Sequence, residues 1–158
     1  MMVKQTGLTM IELLVAITLL GIMAAISGPS FTAFMDASRL SFSTQLVETT
    51  LGKAFSQTRS KPVSMILRGW KGSQRMELVT SGAPAAEKEC RLTEATCQQL
   101  DSGVTFEKNF SVRFLPPYGD IDKKGDDTDI VLMGKKEKVT IRVHHKSGLV
   151  EMLKSEKL

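Results

Sequence analysis

Only two of the 158 residues are cysteine, Cys90 and Cys97, so the chain is not one of the small domains that substitute disulfides for a hydrophobic core. Twelve glycines and five prolines are too few for a fibrous repeat. Charge of one sign is in small excess: 21 Lys plus Arg against 17 Asp plus Glu give +4, and 42% hydrophobic residues exclude a disordered chain. The only histidines, His144 and His145, are adjacent, and neighbouring strand residues face opposite ways, so they cannot readily chelate one metal. No Ser or Cys stands with a recognisable base, and no glycine-rich phosphate loop occurs. The sequence therefore reads as a protein that is not an enzyme and takes no cofactor. What it does offer is enough length for one sizeable core.

A mean hydropathy near zero hides an asymmetry. Between Leu8 and Pro29 the single charge is Glu12, whereas charge recurs in nearly every later stretch of ten. Leu8 to Ser27 is 20 residues, and a helix of that length matches a hydrocarbon core of about 30 Å. Three ordinary readings compete. A cleaved secretory signal would use Lys4, the apolar run Leu13 to Leu20 and the small-x-small site Ala25-Ile26-Ser27. A signal anchor would keep Lys4 on the cytoplasmic side. A buried helix of a soluble protein is disfavoured by the length. None of them accounts for Glu12, a carboxylate that costs about 2.5–3.5 kcal/mol near the bilayer centre and less near an end.

The string Gly7-Leu8-Thr9-Met10-Ile11-Glu12-Leu13 resembles the type IV prepilin motif: a glycine, a bulky apolar residue, and Glu as the fifth residue after a cut. The resemblance implies that a membrane prepilin peptidase cleaves between Gly7 and Leu8 and that Leu8 is then N-methylated by the same peptidase/N-methyltransferase activity. Removing seven of 158 residues leaves 151. In the family the Glu at this position pairs with the amino terminus of a neighbouring subunit, which makes Glu12 a specifier of assembly. A new ammonium at Leu8 and the positive end of the helix dipole both ease burial of that carboxylate. Pro29 lacks the N–H that would bond the Ala25 carbonyl, so a helix continuing through Gly28-Pro29 is expected to bend there.

Beyond Pro29 the pattern is amphipathic. Leu40, Val47, Leu51, Ala54 and Thr58 recur at helical spacing, with Arg39, Glu48, Lys53 and Arg59 off the stripe. The spacing predicts a helix from about Thr9 to Arg59, ending before Lys61-Pro62. Strands are then expected at Val63–Arg68, Arg75–Thr80, Val104–Lys108, Ser111–Leu115, Ile130–Met133, Val139–His144 and Leu149–Leu153, separated by turns rich in Gly, Pro and Lys. The fold class is α+β: a long hydrophobic amino-terminal helix packed on a mainly antiparallel sheet. The expected divisions are a leader at 1–7, a membrane and assembly half-helix at 8–29, an amphipathic half-helix at 30–60 and a β-rich head at 61–158.

Four stretches narrow the resemblance: Leu46 to Val63, Arg68-Gly69-Trp70-Lys71-Gly72, Gly103-Val104-Thr105-Phe106 through Phe114-x-Pro116-x-x-Gly119, and Val139 to Val143 through Ser147-Gly148. Together they look like the GspH/FimT family, minor pseudopilins of type II secretion and minor pilins of type IV pili. The resemblance implies a structural subunit at or near the tip of a pilus or pseudopilus. Its partners would be other pilins or pseudopilins met through the helix. It would be anchored by a single pass in a bacterial inner membrane with its head in the periplasm.

With the head outside the cytoplasm, a Cys90–Cys97 disulfide is the better expectation; it would close an eight-residue loop and contribute about 2.5 kcal/mol by loop entropy. Asp120, Asp122, Asp126, Asp127 and Asp129 offer carboxylates around a turn, the ligand type calcium prefers. Yet Lys124 and Val131 stand where oxygen ligands belong, so a solvated acidic loop is expected and no metal. Lys135, Lys136, Lys138, Arg142 and Lys146 could contact phosphates, the basis of an alternative reading as a DNA-binding minor pilin in DNA uptake. DNA-binding relatives carry Gly-Arg-x-Arg near the carboxyl end, where this chain reads Gly148-Leu149-Val150-Glu151, and loss of Lys4 with the leader lowers the charge from +4 to +3. A solvated basic face is the plainer expectation.

Overall fold

The computed structural model describes residues 9–82, 90–92, 94, 96–122, 128–144 and 150–157, the side chains of 26–30, 154, 155 and 157 excepted. Its first element, α1, runs Met10–Ser60. Thr9 starts it as an N-cap, and Glu12 closes the reciprocal capping box three residues later. It stops where Pro62 removes a donor and drives Lys61 out of helical geometry, with Arg59 in the last turn opposing the helix dipole. Helical assignment continues through Gly28 and Pro29 without a break.

The chain divides into two compact units between Met35 and Asp36. The described part of the first is the early part of α1, whose apolar side chains are exposed all round: Met10, Ile11, Leu13, Leu14, Ile17, Leu20 and Met23 each show more than half their surface. A helix apolar on every side is one that water does not solvate well, and it calls for another apolar environment.

Among the described residues the second unit holds the rest of α1 and nine strands. These are β1 (Met65–Gly69), β2 (Arg75–Thr80), β3 (Cys97–Gln99), β4 (Thr105–Phe106), β5 (Phe110–Leu115), β6 (Asp120–Ile121), β7 (Thr128–Met133), β8 (Glu137–Val143) and β9 (Val150–Lys157). They form two sheets, ordered β3-β2-β1-β5-β6 and β4-β7-β8-β9, and every ladder within them is antiparallel. The fold is α+β and pilin-like. The single sheet expected from sequence is resolved into two, and β3 and β6 were not expected. Neither Cys97-Gln98-Gln99 nor Asp120-Ile121 carries an alternating apolar pattern, so each is specified by the neighbour it pairs with.

Alternation sorts each strand onto the core. Met65 and Leu67 of β1, Met76 and Leu78 of β2, and Phe110, Val112 and Phe114 of β5 lie in one register and join Ile130, Leu132, Ile141 and Val143 of the second sheet. The stripe of α1, Leu40, Val47, Leu51 and Ala54, completes the cluster, and every member lies in the second unit. Phe106 and Phe110 meet edge to face at 4.9 Å, the favourable arrangement for two ring quadrupoles.

Three polar residues sit in that stripe without penalty. Thr44, Thr50 and Thr58 are buried, and each hydroxyl donates back to the carbonyl four residues earlier, at 2.8, 2.7 and 2.8 Å. Thr50 Oγ also lies 2.6 Å from the Gln98 side chain; its one proton is already committed, so this contact is satisfied with the Gln98 amide turned to present N–H. Ser43 Oγ accepts from the Asp101 N–H at 3.1 Å, a second tie between helix and the β3 region.

On the opposite face of the first sheet, Arg68 and Glu77 are cross-strand neighbours. Their Nε and Oε2 are 3.1 Å apart without hydrogen-bond alignment, so the attraction is Coulombic. With side chains 14% and 9% exposed, losing Arg68 would leave the Glu77 carboxylate in a site little solvated by water.

Candidate functional site

The amino-terminal site is built from the start of α1. The Thr9 N–H and the Thr9 hydroxyl both donate to Glu12 Oε2 at 3.1 Å, while the Glu12 N–H points back to Thr9 Oγ at 3.4 Å. Glu12 therefore does not dangle: in the isolated chain its carboxylate is held by the residue that caps its own helix. The sequence reading missed Thr9, although the spacing Thr-x-x-Glu ahead of an apolar run is a capping-box signal. The cut and methylation positions, Gly7 and Leu8, lie outside the described residues. At the expected bend, Gly28 and Pro29, only the helical backbone is described. Among the described residues no helix is long and apolar enough to cross a membrane. Of the expected spanning run, Leu8 and the side chains of Ile26 and Ser27 lie outside the description.

Cys90 and Cys97 are joined in a disulfide with Cα atoms 5.7 Å apart. Cys97 stands opposite Glu77 on β3, and Cys90 is buried, its carbonyl accepting from Arg75 Nη1 at 3.3 Å. The bond ties Cys90 to the first residue of β3.

The basic residues near the carboxyl end do not form a free patch. Lys135 Nζ lies 3.3 Å from Asp36, which also faces Arg39 at 3.9 Å. Lys138 pairs with Glu156 at 2.8 Å, and this mutual hydrogen bond holds the lysine above and the glutamate below their ordinary pKa values. Arg142 grips Asp129 with two bonds, 2.8 and 3.0 Å. Lys136 is exposed, and Lys146 lies outside the described residues. His144 Nε2 is 3.0 Å from Glu151, and His145 is undescribed.

The acidic turn is drawn apart in the same way. Asp122 pairs with Arg113 at 3.4 Å and Asp129 with Arg142, Asp120 is exposed, and Asp126 and Asp127 lie outside the description. Among the described residues no three acidic, His or Cys side chains gather as a metal set. Sequence spacing grouped these aspartates, but cross-strand pairing gives two of them to arginines.

The hydrogen bond from Arg142 holds the Asp129 carboxyl below its ordinary value of 3.8, partly opposed by burial, with the charges of Arg142, Lys108 and His144 adding smaller effects in the same direction as the bond. A depressed carboxyl pKa stabilises the fold above the unfolded value and ceases to do so as pH falls through the folded value. Asp129→Asn should therefore lower stability at pH 7 by under about 1 kcal/mol, since the pair is exposed and screened. Urea titrations at a series of pH values should show the difference from the parent shrinking below pH 3.8 and vanishing in stronger acid. A difference constant with pH would assign the effect to packing.

Comparison with protein families places these features. Residues 2–28 match the family model described as the prokaryotic N-terminal methylation motif, which supports a type IV pilin-like protein made as a membrane-anchored precursor, processed by prepilin peptidase and assembling with other pilins. No curated protein and no solved structure matches the chain.

Proposed function

We propose that this chain is a minor pseudopilin or minor pilin, a structural rather than catalytic subunit at or near the tip of a type II secretion pseudopilus or type IV pilus. The match of residues 2–28 to the methylation motif carries the reading. It is supported by a helix that is apolar and exposed on all sides through Met23 and by the one carboxylate placed in its first turn. In this reading the precursor is held by a single pass in the inner membrane with the head in the periplasm. Cleavage after Gly7 frees the Leu8 ammonium, methylation caps it, and the helix packs among those of other subunits.

The experiment is mass measurement of the mature chain from a host with the processing enzyme. The expected product begins at N-methylated Leu8 and has lost seven residues. A chain beginning at Gly28 would identify an ordinary secretory signal and sink the proposal. The DNA-uptake alternative draws less support, because Lys135, Lys138 and Arg142 are each occupied by a carboxylate and would have to exchange it for phosphate.

A further inference from the structure

Between Glu12 and Asp36 the sequence carries no charge for 23 residues, 13–35. The span expected from sequence, residues 8–27, starts five residues earlier and ends eight earlier. Three features of the structure separate these two registers. Helical structure starts at Met10, with Thr9 as its N-cap: the Thr9 hydroxyl takes the Glu12 N–H at 3.4 Å and the Thr9 carbonyl the Leu13 N–H at 3.2 Å. First-turn N–H groups lack partners along an α-helix, and hydrocarbon supplies none, so this end belongs at the level of water and headgroups.

At the other end, helical structure passes Gly28 and Pro29 without a break, and spanning helices tolerate proline, so the backbone does not stop the span there. Phe31 and Phe34, beyond that point, are 64% and 68% exposed. The third feature is Asp36, the first charge after Glu12. It is committed to the second unit, 3.3 Å from Lys135 and 3.9 Å from Arg39, and the division between the compact units falls just before it.

We infer that the precursor crosses the bilayer with residues 13–35 in the hydrocarbon, the Thr9–Glu12 capping box among the cytoplasmic headgroups and the Phe31 and Phe34 rings among the acyl chains. The inference rests on the single-pass reading above and fixes its register. Helix of this length, 23 residues, spans about 34 Å, and a tilt of about 20° brings that to about 32 Å, against a hydrocarbon core of about 30 Å. This register takes the Glu12 carboxylate out of the hydrocarbon and puts two aromatic rings into it, and both changes favour it. Inside the span the Thr18 hydroxyl donates to the Val15 carbonyl at 2.8 Å and needs no other partner. The side chains of residues 26–30 lie outside the description, and it is the two ends that fix the register. The Gly7–Leu8 bond then falls outside the hydrocarbon, where water for its hydrolysis is at hand.

The test is cysteine labelling of the full-length precursor in spheroplasts of a host without the processing enzyme. Cys90 and Cys97 are joined to each other and leave no free thiol to compete. Phe31→Cys, Ala33→Cys and Ser41→Cys are each treated with a charged, membrane-impermeant maleimide; all three positions are exposed in the chain. Ser41→Cys should react readily and the other two at least about tenfold more slowly, because a thiolate neither forms in hydrocarbon nor meets the reagent there. Ala33→Cys keeps both rings, so its protection does not depend on a lost phenylalanine. Met10→Cys, at the other end, should react in inverted vesicles as Ser41→Cys does in spheroplasts. Reaction of either Phe31→Cys or Ala33→Cys at the Ser41→Cys rate, or shielding of Met10→Cys, in a chain that resists carbonate extraction would overturn the register and leave the single pass standing. Release of the chain by carbonate would overturn both.

Discussion

If Glu12 pairs with a neighbour's amino terminus as proposed, Glu12→Ala should leave the precursor inserted and cut but lower its share of sheared filaments by at least about tenfold, because that buried ammonium would lose the charge that neutralises it. The capping box supplies the control. Gln in place of Glu12 still accepts from the Thr9 N–H and so keeps the helix start, but it has no charge. Glu12→Gln should thus incorporate as poorly as Glu12→Ala if pairing is the role. Incorporation of Glu12→Gln at the parental level would show instead that Glu12 serves to begin the helix. Immunoblots of filament and membrane fractions from the same cells read both outcomes together with cleavage.

Gly119→Ala is expected to destabilise the head by about 2–4 kcal/mol, combining a left-handed backbone penalty with overpacking. Gly119 has φ +80°, and a Cβ built there would lie 2.6 Å from Phe55 Cδ2. The glycine closes the Pro116-Pro117-Tyr118 turn, its N–H donating to the Leu115 carbonyl at 2.9 Å, and seats that turn on the α1 ring. The ring is held from another direction too, since the Arg59 guanidinium lies 5.5 Å from its centroid. Phe55→Leu separates the two costs. In that background the clash is relieved, and the Gly119→Ala step should fall to the backbone penalty of about 1–2 kcal/mol. Urea unfolding of the four proteins in this cycle decides it: an unchanged step would place the whole cost in the backbone.

Much of the fold was legible because its signals are periodic. Leu40, Val47, Leu51, Ala54 and Thr58 were assigned to one stripe from spacing alone, and all five are buried. β2 was expected at Arg75–Thr80 and is found there, and β5 begins one residue before its expected start. β9 was expected to end at Leu153 and runs to Lys157, because Glu137 and Lys138 of β8 extend to meet it across an irregularity in register. The division into two sheets left no trace in the sequence, since alternation reports which face of a strand is buried and not which strands share a ladder.

The candidate site shows the same boundary. Glu12 was conspicuous as a charge in an apolar run, and the methylation motif covers it. That Thr9 holds it was written in a four-residue pattern and overlooked. The lysines and aspartates near the carboxyl end looked like two patches of opposite sign because sequence lists them in blocks. Antiparallel pairing folds the blocks onto each other, so Asp129 meets Arg142 and Lys138 meets Glu156. Asp36, which takes Lys135, lies 99 residues away from it in the chain and could not have been assigned from spacing.

The three buried threonines of α1 give the seam its character. Because Thr44, Thr50 and Thr58 return their protons to their own helix, that stripe meets a polar side chain of the sheets only at Thr50, which faces Gln98, among the described residues. Register along most of the seam is then a matter of shape, set by how Val47, Leu51 and Ala54 fit the opposing apolar rows. Gln98 apart, sheet residues facing the stripe can be exchanged for others of similar volume without stranding a hydroxyl, so one helix could serve heads whose sheets differ in sequence.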